Sequence, residues 1–266
     1  MSISRTAPSG SRFFFQHWLL AGCCLLWLSG CATLTDTLTR PAATPEAMAL
    51  AQSMEARRAG VVEVAALAEV RVHGLARLRV PFPAAFTATL THRPGDRFFA
   101  LSAFGPMGAP LFTYISDGDV WRLSSPGTAD ASGTLGETAG GDDMAAVVLG
   151  TLCHLLDGAV GVDLHGHSPR PGKRGEWRAG RGAGAIRFRM DGGRLVQANF
   201  KRPGLGRVHI AYADYLSVGG PQGADNGTTP AQETPRHMRL EVPRHGLVLE
   251  VEVTEWVMGG GHGPLR

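Results

Sequence analysis

From Val61 onward, apolar and polar side chains alternate with a period of two. Between residues 84 and 92, Phe86, Ala88 and Leu90 alternate with Thr87, Thr89 and Thr91, the pattern of a strand with one covered face. Pro94-Gly95-Asp96 turns the chain and Arg97 to Phe104 returns. Pro110 to Ser116 is a third strand, Asp117-Gly118-Asp119 is a hairpin signal, and Val120 to Leu123 follows. In the second half, Ile186, Phe188 and Met190 alternate with Arg187 and Arg189. Asp191-Gly192-Gly193 turns, Leu195 to Phe200 returns, and Val208, Ile210 and Tyr212 continue the pattern. The last pair is the clearest: Met238, Leu240 and Val242, then Leu247, Leu249, Val251 and Val253 opposed to Glu250 and Glu252. Short strands joined by tight turns predict an antiparallel meander of about ten or eleven strands.

Two segments carry helical signals instead. Thr44 caps Pro45 to Arg58, with Ala47, Leu50 and Met54 near one face and Gly60 as the stop. Met144 to Leu156 is the second, opened by Asp142-Asp143 at the positive end of its dipole. Residues 124–143, 158–175 and 217–234 read as loops. Two helices are little cover for so many strands, and a sheet with an apolar face must cover it. The expected class is therefore mainly β (α+β), a curved antiparallel half-barrel with helices over an apolar interior. Alternation alone leaves open whether that interior is a cavity or a filled core, and which strand face points inward.

The N-terminus departs from this pattern. Arg5 and Arg12 precede an apolar run of sixteen residues, Phe13 to Leu28, followed by Ser29, Gly30 and Cys31. A bilayer-spanning helix needs roughly 20 residues, so the run reads as a signal for export. Leu28-Ser29-Gly30-Cys31 resembles the bacterial lipobox. That resemblance implies cleavage before Cys31, lipidation of its sulfur and acylation of its nitrogen, and hence an anchored protein. Ala32 follows the cysteine. In Gram-negative sorting, the absence of aspartate there implies an outer-membrane address facing the periplasm. The expected organisation is a signal peptide over 1–30, a flexible tether over 31–44, the half-barrel domain over 45–258 and a flexible tail over 259–266.

Composition adds little. Of four cysteines, Cys23 and Cys24 lie in the signal and Cys31 is the lipidated one, leaving Cys153 with no partner for a disulfide. The net charge of +3 falls to +1 with the loss of two arginines, which gives no case for nucleic acid. Catalytic patterns are also missing. Gly166-His167-Ser168 begins like a nucleophile elbow but lacks the closing glycine and sits in a loop. His165 and His167 lack further ligands at zinc-like spacing. The glycines of 180–184 and 259–261 lack the lysine and hydroxyl of a phosphate loop. The chain reads as a non-enzyme with no cofactor and no metal.

The order of elements carries a resemblance. Phe104-Gly105-Pro106-Met107-Gly108 places Met107 at a turn tip between two strands. Pro235-Arg236-His237-Met238-Arg239-Leu240 precedes the last hairpin, which closes on Val253-Thr254-Glu255-Trp256-Val257. An N-terminal helix, strands, a central helix, more strands, P-x-x-M-x-L and a final tryptophan strand together resemble the LolB family of outer-membrane lipoprotein receptors, across roughly residues 45–257. The match is one of pattern. The family's tryptophan stretch around its central helix has no counterpart in 144–158, and residues 158–175 and 217–234 look enlarged.

This resemblance implies an open half-barrel with an apolar interior, shared with the carrier LolA. Its ligand would be a lipoprotein or other acylated molecule, received from a LolA-like periplasmic carrier and delivered to the outer membrane. Met107 occupies the position of the family's exposed leucine, as a membrane-insertion residue. Phe86, Leu90, Phe99, Leu101, Phe112 and Tyr114 are the candidate cavity lining. Two other readings stay open: a half-barrel lipoprotein for another amphiphile such as a glycolipid or lipid intermediate, and a non-catalytic envelope scaffold.

Overall fold

The computed structural model describes residues 44–74, 83–134, 143–164, 166–218 and 232–259. Helix α1, Pro45–Ala59, starts where Thr44 Oγ1 accepts a hydrogen bond from the Ala47 N–H at 3.2 Å, and Gly60 ends it. Then come strands β1 (Glu63–His73), β2 (Ala85–Arg93), β3 (Phe98–Phe104), β4 (Pro110–Asp117), β5 (Val120–Ser124) and β6 (Ala131–Thr134). A helical segment follows: α2 (Asp143–Thr151), a 3-10 turn (Leu152–Leu155) and α3 (Asp157–Val160). The chain closes with β7 (Arg170–Pro171), β8 (Glu176–Ala179), β9 (Ile186–Asp191), β10 (Arg194–Arg202), β11 (Gly206–Val218), β12 (Gln232–Val242) and β13 (Leu247–Gly259). The lipidation candidate Cys31, with the signal and most of the tether, lies outside the described residues.

All the strands join one sheet in the order β6-β5-β4-β3-β2-β1-β13-β12-β11-β10-β9-β8-β7, with antiparallel pairing described throughout. Two meanders are thus joined where β1 pairs with β13. The two edges, β6 and β7, do not pair, so the sheet is open. Among the described strands, the one connection that does not join sheet neighbours runs from one edge to the other and contains α2, the 3-10 turn and α3.

That connection explains the curvature. The helical segment packs against β4 and β5 near one edge and against β10 and β12 on the other side. Strands β4 and β10 are seven places apart in the order, about 34 Å in a flat sheet at ~4.8 Å per strand. The segment from 143 to 160 would span about 27 Å even as one straight helix, and it bends. Thr151 Oγ1 donates to the Val147 carbonyl at 2.6 Å and Cys153 Sγ to the Gly150 carbonyl at 3.0 Å, side-chain bonds that bend helices at such positions. Only a sheet curled around this short roof brings both arms to it.

The concave face is the one that β1 lines with Val64, Ala66, Ala68, Val70 and Val72, all buried. A bulge after Leu67 keeps this face in register with Trp256 beyond it and Val253 and Val251 before it on β13. The roof fills most of the concavity: Ala146, Val148, Leu149, Leu152, Leu155, Leu156, Ala159 and Val160 are buried against it. The interior is therefore largely a packed core.

The described residues form thirteen strands, against the ten or eleven expected. The additions, β6, β7 and β8, are short and sit at the two edges; β6 and β7 fall in segments that read as loops and β8 directly follows one, because edge strands with little buried surface show no alternation. The second helix also breaks where one continuous element was expected, and it extends about one turn further, to Val160. Residues 219–231 of the long predicted loop lie outside the described residues, and β11 and β12 take up its ends.

Candidate functional site

The two arms leave a gap where the β2–β3 and β4–β5 turns of one meet the start of β9 and the end of β10 of the other. There a cavity of about 410 Å³ lies between the roof and the sheet, within the range of roughly 300–1,000 Å³ usual for small-molecule sites. Its sheet walls are His92, Phe99 and Ser116 from one arm and Ile186, Phe200 and Arg202 from the other. Gly150, Cys153, His154 and Asp157 of the roof complete it, and the β2–β3 and β4–β5 turns form the rim with Arg97, Gly118 and Asp119.

Inside, the ionisable groups are uncharged or paired. His92 is buried and lies with Nδ1 2.8 Å from the Phe98 carbonyl, which assigns the proton to that nitrogen. Desolvation lowers its pKa, the Phe98 contact opposing only in part, so the ring is neutral near pH 7. Burial, with the Asp157 carboxylate adding to it, pushes the Cys153 thiol up to about 12; it is no thiolate nucleophile at neutral pH. Asp157 Oδ2 pairs with His154 Nδ1 at 3.0 Å, and the His154 ring lies 4.5 Å from that of Phe200. The Tyr212 hydroxyl, its pKa raised by burial, donates to the His154 carbonyl at 2.6 Å and fixes the roof to β11. Tyr114 is buried beneath, with Ser116 beside it but no well-aligned hydrogen bond to its hydroxyl.

At the rim, Arg58 pairs with Asp163 at 3.2 Å and Arg97 with Asp119 at 3.1 Å. Among the described residues, Lys201 and Arg202 hold no ion pair, although both line the cavity. No group of three or more His, Cys, Asp or Glu side chains is set to hold a metal among those residues. His167 and Ser168 are exposed in the loop before β7, away from this cavity, and His165 lies outside the described residues.

The six residues chosen from sequence as lining all lie on the concave face and are buried. They divide three ways. Phe99 walls the open cavity. Phe86 borders a second hollow, about 510 Å³, beside the β3–β4 turn. Leu90, Leu101, Phe112 and Tyr114 belong to the packed core, where Phe112 meets Phe86 edge-on at 5.6 Å. Sequence reasoning missed His92, Cys153, His154, Asp157, Ile186, Phe200 and Arg202, because they converge only when the two arms curl together.

No family model matches the chain, and no curated protein matches it. Solved structures with a similar fold exist. A putative outer membrane lipoprotein-sorting protein domain from Vibrio parahaemolyticus is 11% identical, with a TM-score of 0.47 over 81% of this chain and 93% of that one. A DUF1329 family protein from Desulfovibrio piger is 10% identical, with a TM-score of 0.47 over 82% and 94%. A LolA superfamily protein from Nitrosomonas europaea is 11% identical, with a TM-score of 0.43 over 80% and 93%. These are resemblances; the fold rests on the strand order itself.

Met107 sits at the opposite end of β3 and β4 from the open cavity. The turn Pro106–Gly108 holds it in the left-handed region, at φ 61° and ψ 19°, and its side chain is fully exposed. The Gly105 N–H donates to the Ala109 carbonyl at 2.8 Å and the Gly108 N–H to the Gly105 carbonyl at 3.1 Å, which fixes the tip. A non-glycine residue in this conformation is strained by about 1–2 kcal/mol, and Met107 gains no core burial in exchange. Its side chain is presented outward.

Proposed function

We propose that this chain is a lipid-anchored, outer-membrane protein that accepts the acyl chains of lipoproteins from a periplasmic carrier and inserts them into the outer membrane without covalent chemistry. The observation that carries the reading is an open, curled sheet whose roofed apolar face leaves a solvent-connected cavity between its two arms. An acyl chain of sixteen carbons represents about 12 kcal/mol of burial at ~0.8 kcal/mol per methylene, so its passage through water requires an apolar host on each side of the transfer. The neutral His92 and protonated Cys153 suit a host better than a catalyst. The lipobox-like Leu28-Ser29-Gly30-Cys31 supports the anchor, and Met107 supports the delivery step.

A transfer assay tests this. The full chain carrying Cys31→Ala, which removes the proposed anchor, is mixed with a LolA-type carrier loaded with a lipoprotein, and the two are separated and probed for cargo. Cargo is expected on this protein. Cargo that stays on a demonstrably active carrier overturns the receptor reading. A second reading, a host for a different amphiphile, is favoured by the charged rim of the cavity, which includes Lys201 and Arg202.

A further inference from the structure

Phe200 and Arg202 stand two residues apart on β10, so they share the concave face about 7 Å from each other. Phe200 packs against the core and the His154 ring, and Arg202 lies at the strand's end, beside Lys201; all three line the cavity. Ile186 stands beside them on β9, and Phe99 faces them from β3 of the other arm. The rim's other cations are occupied, Arg58 by Asp163 and Arg97 by Asp119. Arg202 is half-buried, and no carboxylate answers it or Lys201 among the described residues. The cavity is thus polarised along its depth, from aromatic and aliphatic walls inside to unpaired positive charge at the mouth. A half-buried guanidinium without an acid is a ready partner for an external oxyanion, which it can hold through two parallel N–H bonds.

We infer that the cavity binds a single-chain amphiphile with an anionic head, its tail against Phe99, Ile186 and Phe200 and its carboxylate or phosphate on Arg202, with Lys201 adding charge. The inference rests on the acyl-binding reading above and adds the chemistry of the head. A tail alone would need no cation, and a free anion would need no aromatic walls.

Calorimetric titration of the full chain carrying Cys31→Ala, below the micelle-forming concentration of each ligand, separates the terms. The probes are dodecanoate, dodecyl phosphate, dodecanol and inorganic phosphate. Dodecanoate or dodecyl phosphate is expected to bind at least about tenfold more tightly than dodecanol, the effect of one charge-assisted bond. Which of the two is tighter identifies the head. Arg202→Gln should remove that preference and leave dodecanol binding unchanged, which also shows that the variant is folded; Lys201→Gln should lower it less. Equal binding of dodecanol and the two anions overturns the inference but leaves acyl binding standing. Inorganic phosphate binding as tightly as dodecyl phosphate overturns it in favour of a free-anion site. Binding of none of the three chains overturns the acyl reading itself.

Discussion

His92 shows what burial at the cavity does to one side chain. Its ring is 7% exposed and lies against the Phe98 carbonyl, and desolvation holds its pKa below the ordinary value of 6.5. On acidification the unfolded chain therefore takes up this proton first. The contribution is fully present above the unfolded value of about 6.5, and is lost progressively as pH falls from there toward the lower folded value. Urea denaturation across this range should show stability declining with acid, and His92→Gln should flatten that part of the slope. An unchanged slope would mean that the ring is solvated and charged in the folded state. Gly158 is the steric counterpart. A Cβ there would lie 2.6 Å from the Tyr212 ring and 2.8 Å from the Pro235 ring, closer than real Cβ atoms approach. Gly158→Ala should destabilise by about 1–3 kcal/mol, the usual range for overpacking, measured by the same denaturation. Wild-type stability would show that the roof can lift away from β11 and β12.

At the scale of elements, the roof is held by apolar burial and by a few bonds to carbonyls. Leu155 and Leu156 are fully buried, Tyr212 holds the His154 carbonyl, and Arg57 reaches from α1 to the Ala159 carbonyl at 3.0 Å and also to the Glu233 carbonyl. Leu155→Ala should cost about 2–5 kcal/mol, read as a lowered denaturation midpoint with an unchanged slope; a loss under 1 kcal/mol would mean that the segment collapses onto the gap. The elements differ in how far sequence reveals them. Strands such as β2 and β13 were legible because one face is buried at every second residue, and α1 because Thr44 and Pro45 begin it. The edges β6, β7 and β8 bury little and carried no such signal. The candidate site was less legible still. Phe99 was found because it lies on the strand that returns after the Pro94-Gly95-Asp96 turn, whereas Phe200 and Arg202 form a pair only when the inward face of β10 is known. Cys153 and Asp157 become neighbours of that pair only through the crossing roof. The outer face was visible as charge but not as a network; Arg239 there bridges Glu241 at 2.8 Å and Glu250 at 3.4 Å, exposed pairs that contribute little to stability.

The molecule as a whole sets the Met107 turn apart from the open cavity. Strand β3 has seven residues, Phe98–Phe104, so the Met107 turn and the open cavity lie about 20 Å apart along the strands. If Met107 enters the bilayer and the cavity holds an acyl chain, uptake and delivery are separable by substitution. Embedding the Met107 side chain in lipid is favourable by about 1.5–3 kcal/mol, an advantage that a carboxylate lacks. Met107→Glu should therefore lower lipoprotein delivery into liposomes by about tenfold or more, while acceptance of cargo from the carrier is unchanged. Met107→Gly is the necessary companion, since glycine adopts φ 61° without strain. It should lower delivery as well while leaving stability equal or higher, which excludes misfolding as the cause. Arg202→Gln should do the reverse, altering what the cavity holds without weakening the contact of an empty protein with vesicles. Loss of both uptake and delivery in Met107→Glu would place the cargo's path at the Met107 end, by the hollow that Phe86 borders, and would remove the open cavity from the transfer route.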